Sequence, residues 1–427
     1  MSTKGPPSRR PRQLGVGLVA GAVLLGSLVG LGALLQPDGL ALSSPSHTPA
    51  GSNPPVGPDP GQSVVGPPEA KMCDGIAESP SAHPAGIPAS RAINIGVEDL
   101  VDPTPGRLAE LARRLDQVDA NVVSIAVGRV DWVEFPWVGH EDQLASDVID
   151  TGRDYVGEAI SAFRCGADGR PRTIVLGIDV LLGRSLGQDG LVAGRSQAGV
   201  ESKLFASVAT WRNSGLGDRL TALAEEVATR YRPEAVNITE LFFDLYTYGE
   251  DDLADFRATT GLADWPRRED GGVDTNDPAV GAWRTEVAVS VLAPIEEVLS
   301  PLGVALTADV RAPQVAQVPT RADIGQHYPE LLEYVASLNV WDFPGVGRRP
   351  DALTAADLGP LLFDAAPDRF SLEIGLWSGP GVISADALRR ELVGANRTGM
   401  RSVSVTPASR MTEELWDVVE EAWGGAR

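Results

Sequence analysis

From residue 91 onward, short runs of β-branched and other apolar residues alternate with longer stretches in which apolar positions recur every three or four residues. The short runs are typical of buried strands, and the longer stretches are typical of amphipathic helices. The pattern predicts eight strands, at residues 91–99, 121–132, 172–182, 235–244, 304–313, 338–345, 369–379 and 401–410. It also predicts eight helices, at residues 104–118, 141–164, 201–231, 279–303, 323–337, 353–366, 384–399 and 412–425.

Eight consecutive β/α units predict an α/β protein with a (β/α)8 TIM barrel over residues 91–427. The alternative is an open, doubly wound parallel sheet. The count of eight favours the barrel, as does the lack of a G-x-G-x-x-G sequence after the first strand.

The N-terminal part of the chain has a different composition. Residues 1–13 are basic, residues 14–35 carry no charge, and residues 36–90 are rich in Pro, Gly and Ser. The uncharged segment is long enough to cross a bilayer, with the basic residues on the cytoplasmic side. We therefore expect an anchor in the cell membrane, a linker and an extracytoplasmic barrel. A cleaved signal segment is the alternative, and the protein would then be secreted.

The chain has two cysteines, Cys73 and Cys165. Cys73 precedes the first predicted strand and Cys165 ends the second predicted helix, so both are expected at the N-terminal face of the barrel. In an exported protein such a pair predicts a disulfide bond, with two free thiols as the alternative.

Composition excludes several kinds of function. The net charge of −22 argues against a nucleic-acid partner, which would need a basic patch. The chain has four histidines and contains no H-E-x-x-H, G-x-S-x-G or P-loop sequence. We therefore expect no metal and no cofactor, and carboxylate chemistry is what remains.

Acidic and aromatic residues are concentrated where the predicted strands end. Active sites of this fold lie at the C-terminal ends of the strands, and part of these acids could instead cap the following helices. Glu240 is notable because a carboxyl group within an apolar run is costly unless it has a partner or a chemical role. Carboxylates beside flat aromatic faces suit a sugar ring. The residues expected to contact substrate are Asp131, Trp132, Trp137, Asp179, Tyr246, Tyr248, Asp309, Arg311, Trp341, Asp342 and Trp377.

The arrangement resembles the clan-A type of barrel glycoside hydrolases, which place an acid/base Glu at the end of strand four and a nucleophilic Glu at the end of strand seven. Glu240 and Glu373 stand in those two predicted strands. Thr239 stands where the clan has Asn before its first Glu. The stretch "TELFFDLYTYG" also resembles bacterial glycosyl-hydrolase-like barrels of uncharacterised activity, in which an Asp followed by aromatic residues is typical, and Asp244 matches it. The resemblance thus implies Glu240 or Asp244 as the acid and Glu373 as the nucleophile.

These observations lead us to expect an exported glycoside hydrolase that cleaves a cell-envelope or environmental polysaccharide or oligosaccharide. Two alternatives stay open. One is a catalytically silent barrel that binds glycan at the cell surface, and the other is a lyase or transglycosidase on the same fold.

Overall fold

The structure is a computed structural model that describes Cys73 and residues 87–188, 190–346, 352–363, 366–379 and 381–424. The predicted anchor and nearly all of the linker lie outside these residues. Within the described part of the chain, no helix has both the length and the apolar character that a bilayer span requires.

Eight parallel strands close the central sheet, and the first strand pairs with both the second and the last. This closure confirms the barrel and excludes the open sheet. The eight strands are β1 Ser90–Ile95, β2 Val122–Arg129, β3 Thr173–Asp179, β4 Ala235–Thr239, β5 Ala305–Arg311, β6 Ser337–Asp342, β7 Phe370–Gly375 and β8 Ser402–Thr406. A ninth strand, Trp132–Val133, pairs antiparallel with the end of the second strand.

Helices follow the strands on the outside of the barrel. They are α1 Val97–Leu100, α2 Arg107–Gln117, α3 Ser146–Thr151, α4 Tyr155–Phe163, α5 Val208–Asn213, α6 Leu216–Tyr231, α7 Glu250–Thr260, α8 Pro278–Leu299, α9 Tyr328–Leu331, α10 Ala355–Leu358, α11 Ala385–Arg397 and α12 Glu413–Trp423. Short 3-10 turns occupy Glu141–Gln143, Ser300–Leu302, Ala322–Ile324 and Ala408–Arg410, and a π-helical turn, Gly359–Phe363, follows α10.

Several predicted elements differ from the structure in type or length, among them the predicted helix over 323–337, which contains the four-residue helix Tyr328–Leu331. The predicted helix over 201–231 begins as strand Glu201–Ala206, which pairs with Ala193–Arg195 in a hairpin before α5 and α6. The predicted fourth strand is shorter than the apolar run, because β4 ends at Thr239. The predicted seventh strand also ends early, and Trp377 lies in a separate hairpin of Trp377–Ser378 with Gly381–Val382.

The strand side chains alternate between two environments. In β4, Val236 and Ile238 are fully buried and belong to the continuous apolar core shared with the helices. Asn237, on the opposite face, bonds to the strand-five residue Asp309 inside the barrel. The barrel interior near the carboxyl ends of the strands is therefore polar, whereas such interiors usually hold bulky branched apolar side chains.

The predicted disulfide bond is confirmed. Cys73 and Cys165 are joined, with their Cα atoms 5.6 Å apart. Cys165 follows α4 and precedes β3, at the N-terminal end of the strands. The bond thus fixes a point in the linker to the face opposite the strand ends that carry the predicted chemistry.

Candidate active site

Four carboxyl groups converge at the C-terminal ends of the strands. Asp179 ends β3, Glu240 follows β4, Asp309 lies in β5 and Glu373 lies in β7. They form one electrostatic group, because the charges of Asp179 and Asp309 raise the pKa of Glu240, and those of Asp309 and Glu240 raise the pKa of Glu373. We call these four residues the carboxylate cluster.

Glu240 has an unusual backbone. Its φ angle is 65°, in the left-handed region that residues other than glycine seldom adopt. Alternation along β4 places Asn237 and Thr239 toward the barrel interior, and a continued strand would turn Glu240 outward to the helices. The left-handed turn interrupts this alternation. The Glu240 carboxyl group consequently lies among charges of the barrel mouth, those of Asp179 and Arg311.

Glu240 is a half-buried residue, and one oxygen of its carboxyl group is buried and poorly paired. Its Oε2 atom has no hydrogen-bond partner among the residues that the structure describes. Burial raises the pKa of Glu240 to about 8, with a further increase from the charge of Asp179 and a partial decrease from Arg311. Because an isolated anion is unfavourable there, this carboxyl group holds a proton at neutral pH. A buried carboxylic acid of this kind can serve as a general acid.

Glu373 lies in a different environment. It is 6% exposed and pairs in register with Ser404 of β8 and Trp341 of β6. Burial is the main cause that raises its pKa, followed by the charge of Asp309. The Asn94 side chain opposes this effect, because its Nδ2 atom donates a hydrogen bond to Glu373 Oε2 at 2.9 Å. A donor of this kind stabilises the anion, and Glu240 has no equivalent.

Asp309 lies within a hydrogen-bonded layer. Its Oδ1 atom accepts from Asn237 Nδ2 and from Asn339 Nδ2, each at 2.9 Å. The Oδ1 atom of Asn237 accepts in turn from Asn339 at 2.9 Å and from Thr307 Oγ1 at 2.8 Å. Burial raises the pKa of Asp309 despite these donors. The layer therefore fixes a third carboxyl group next to Glu373, with little freedom to reorient.

Two arginines supply the positive charge. Arg129 Nε is 3.0 Å from Asp179 Oδ2, so one carboxylate of the cluster is ion-paired. Arg311 Nη1 is 3.7 Å from Asp244 Oδ2, and its guanidinium carbon is 4.1 Å from the ring centre of Phe242. The Nε atom of Arg311 is buried with no hydrogen-bond partner in the described part of the chain. One donor of this guanidinium thus has no protein acceptor among the described residues.

Aromatic rings form a continuous row along one side of the mouth, with successive ring centres 5.0–6.3 Å apart. Trp341 lies in β6, and the other rings come from the segments that follow β3, β4, β6 and β7. The members of the row, in order, are Tyr246, Phe205, Phe242, Trp341, Phe343 and Trp377. We call it the aromatic row. It brings together three predicted substrate-contacting residues, and Arg311 stacks on one of its rings.

Three other aromatic residues predicted to contact substrate lie outside the aromatic row. Trp132 stands near the Asp179 side of the mouth, with Arg129 at 5.9 Å from its ring centre. Trp137 is buried and stacks on His140, with ring centres 3.8 Å apart. The hydroxyl of Tyr248 accepts a hydrogen bond from Arg284 at 3.0 Å.

Two further acids predicted to contact substrate, Asp131 and Asp342, are not among the four residues of the carboxylate cluster. Asp131 Oδ2 accepts the backbone N–H groups of Arg184 and Ser185, at 2.7 and 3.2 Å, and so holds the loop after β3. Asp342 is buried at the end of β6 and follows Trp341, so alternation turns it to the other face of the strand. No group of His, Cys, Asp and Glu in the described ranges is arranged to hold a metal ion.

Sequence reasoning missed several residues of the site, namely Asn94, Arg129, Phe205, Asn237, Phe242, Asn339 and Phe343. A signal for the amides was present, because Asn94, Asn237 and Asn339 each alternate with apolar residues in a predicted strand. Strands buried on both faces are expected to be apolar throughout, so a polar residue at every second position indicates a polar barrel interior.

Comparison with known proteins identifies the fold. No protein-family model and no curated protein matches the chain. Among solved structures, it is similar to the glycoside hydrolase domain of PgaB (BpsB) from Bordetella bronchiseptica, with 15% identity, a TM-score of 0.54 and coverage of 77% of this chain and 98% of that one. It is similar to the catalytic domain of a β-amylase from Paenibacillus polymyxa, at 13% identity, a TM-score of 0.51 and coverage of 79% and 98%.

A third similar structure is Gan42B, a GH42 β-galactosidase from G. stearothermophilus, at 11% identity and a TM-score of 0.52. The match covers 80% of this chain and 57% of the β-galactosidase chain. The three comparisons agree with the resemblance stated above: this chain has the (β/α)8 fold that these glycoside hydrolases have.

Proposed function

We propose that this protein is an exported glycoside hydrolase that cleaves a cell-envelope or environmental polysaccharide. The observation that carries the proposal is the difference in hydrogen bonding between half-buried Glu240 and buried Glu373 at one barrel mouth. Burial raises the pKa of Glu240 to about 8 and that of Glu373 well above its ordinary value. Glu240 Oε2 has no hydrogen-bond partner among the described residues, whereas Glu373 accepts a hydrogen bond from Asn94, which opposes the rise. A carboxylate that accepts a hydrogen bond suits a nucleophile, and a neighbouring carboxyl group with an unpartnered oxygen suits an acid.

The two glutamates act in sequence in this proposal. We assign the proton of the pair to Glu240, because Asn94 donates a hydrogen bond to the Glu373 anion and so opposes the burial that raises the pKa of Glu373. Glu240 protonates the glycosidic oxygen as the bond to the anomeric carbon breaks. In a retaining enzyme Glu373 attacks that carbon, and water then releases the sugar with Glu240 as base. In an inverting enzyme Glu373 would instead activate the water.

Asp244 is less suited to the acid role. Its carboxyl group is 27% exposed and lies 3.7 Å from Arg311 Nη1 in an ion pair, whereas Glu240 Oε2 has no hydrogen-bond partner among the described residues. We assign Asp244 to holding the Arg311 guanidinium at the mouth. The Arg311 guanidinium then binds substrate oxygens, and the half-buried rings of the aromatic row stack on sugars next to the cleaved bond, namely Tyr246, Phe205, Phe343 and Trp377.

The experiment is an assay of the purified barrel on a panel of polysaccharides, including cell-wall glycans, with reducing ends and product masses as readouts. Hydrolysis is expected to release reducing ends on products that have gained water. A lyase would give products lighter by one water, and a transglycosidase would give rearranged chains without net release. Binding without turnover would support the silent glycan-binding barrel.

Export is part of the proposal. It rests on the basic N-terminus and the uncharged segment over 14–35, and it agrees with a disulfide bond, which persists in oxidising compartments. Cell fractionation with a reporter fused after Trp423 is expected to show reporter activity outside the cytoplasm and protein in the membrane fraction. Recovery of all the protein from the cytosol would contradict it.

A further inference from the structure

The left-handed backbone of Glu240 requires something that holds it in place. Residues with a side chain are disfavoured at a φ of 65°, and such conformations persist only where surrounding contacts impose them. Within the turn itself, the contact is a single hydrogen bond from Phe242 N to Glu240 O at 3.0 Å. The remaining constraint must come from other parts of the chain.

Gln326 supplies contacts directly beside Glu240. This residue lies after β5, is 1% exposed, and uses both ends of its side-chain amide. Its Nε2 atom donates to Leu241 O at 3.0 Å and to Asp309 O at 3.3 Å. Its Oε1 atom accepts from Arg311 N at 2.9 Å. One side chain thus joins the residue after Glu240 to the end of the neighbouring strand.

Gln326 is itself held firmly. Its backbone N–H and C=O groups pair with the C=O and N–H groups of Arg321, each at 3.0 Å. Within the same segment, Ile324 O accepts from Phe243 N at 2.8 Å, and Asp323 O accepts from Arg284. Residues 321–326 therefore attach to the chain on the C-terminal side of Glu240 at two successive points.

We propose that Gln326 is a positioning residue that keeps Glu240 in the left-handed conformation and thereby turns its carboxyl group into the barrel mouth. The conformational part of this proposal stands on the hydrogen bonds alone. The catalytic consequence rests on the proposed function, because it needs Glu240 to be the acid.

The conformational test compares glycine with alanine at position 240. Glycine adopts a positive φ at no steric cost, whereas alanine does not, although glycine loses more chain entropy on folding. With Gln326 present, we expect Glu240→Gly to have an unfolding equilibrium constant roughly threefold lower than Glu240→Ala. In a Gln326→Leu background residue 240 can relax, so alanine should become the more stable choice. The same glycine preference in both backgrounds would overturn the proposal.

A second measurement follows the proton on Glu240. Titration of its side-chain 13C signal, assigned through its loss in Glu240→Gln, should show a lower pKa in Gln326→Leu than in the wild type, because a relaxed carboxyl group regains contact with water. Gln143→Leu removes another buried glutamine amide and should leave this titration unchanged. If Gln326→Leu does not fold, Gln326→Met keeps the length of the side chain without a charge and loses both hydrogen-bonding ends, and the same shift is expected.

The catalytic consequence is measured on any glycan that the wild type cleaves. Gln326→Leu should lower kcat by at least tenfold with KM changed less than threefold, because substrate contacts remain while the acid is misplaced. An unchanged kcat together with a shifted Glu240 titration would contradict the acid role of Glu240 and leave Gln326 as its positioning residue. An unshifted titration would contradict the role of Gln326, whatever the activity.

Discussion

Replacing Glu240 by glutamine removes a carboxyl group that the folded protein keeps protonated. The unfolded chain ionises this group above its ordinary pKa of 4.5, whereas the folded protein holds the proton until about pH 8. Between these values the folded state binds more protons than the unfolded state, so the wild-type protein loses stability as the pH rises. Glutamine has no proton to lose, and the variant lacks this part of the pH dependence.

The size of the effect follows from the shift. One pKa unit corresponds to about 1.4 kcal/mol, so a rise from 4.5 to about 8 sets an upper limit of about 4–5 kcal/mol above pH 8. The cluster neighbours share this energy, since Asp179 and Asp309 also contribute to the shift. We therefore expect the free energy of unfolding of Glu240→Gln, relative to that of the wild type, to rise by about 2 kcal/mol as the pH increases from 5 to 9.

The assay is urea denaturation of both proteins at pH 5, 7 and 9, with the difference in free energy of unfolding as the readout. A difference in free energy of unfolding that is the same at every pH is not counted, because the amide differs from the acid in hydrogen bonding at every pH. Glu225→Gln makes the same change on the exposed face of α6 and should stay within about 0.5 kcal/mol of the wild type. A difference between Glu240→Gln and the wild type that does not change with pH would refute the reasoning.

Two further predictions concern the disulfide bond and Asn94. Replacing Cys73 and Cys165 by serine opens a loop with a sequence separation of 92 residues, and should lower the free energy of unfolding by about 2–4 kcal/mol in urea denaturation; an unchanged value would show that the bond does not stabilise the barrel. Asn94→Leu removes the donor to Glu373 and so raises the pKa of this carboxyl group further. The acidic limb of the kcat/KM profile should therefore move to higher pH, and a limb that stays in place or moves lower would exclude Asn94 as the stabiliser of the anion.

The barrel could be predicted because its signals are local. Each strand is a short apolar run, each helix repeats its apolar face, and the helix boundaries carry recognisable residues such as Ser384 and Thr412, whose side chains cap α11 and α12. The pairing of Cys73 with Cys165 followed from the same order of elements. These features depend on neighbours along the sequence, and eight repeats of one unit leave few ways to close the sheet.

The site was harder to predict because its geometry depends on contacts distant in sequence. The apolar run over 235–244 predicts one strand, but the chain turns at Glu240 into a left-handed conformation that no local pattern indicates. Gln326, 86 positions away, is needed to explain that turn. Likewise, Phe205 joins the aromatic row from a hairpin whose residues were predicted to be helical.

The most direct test of the central claim is the initial rate of glycan hydrolysis by the wild type, Glu240→Gln and Glu373→Gln, measured on the best substrate of the panel. Amides preserve the volume of both side chains and remove the acid and the nucleophile. The account predicts that each variant loses at least about 100-fold in kcat while its circular dichroism spectrum stays that of the wild type. Full activity in Glu373→Gln, or binding of glycan without hydrolysis by the wild type, would contradict it.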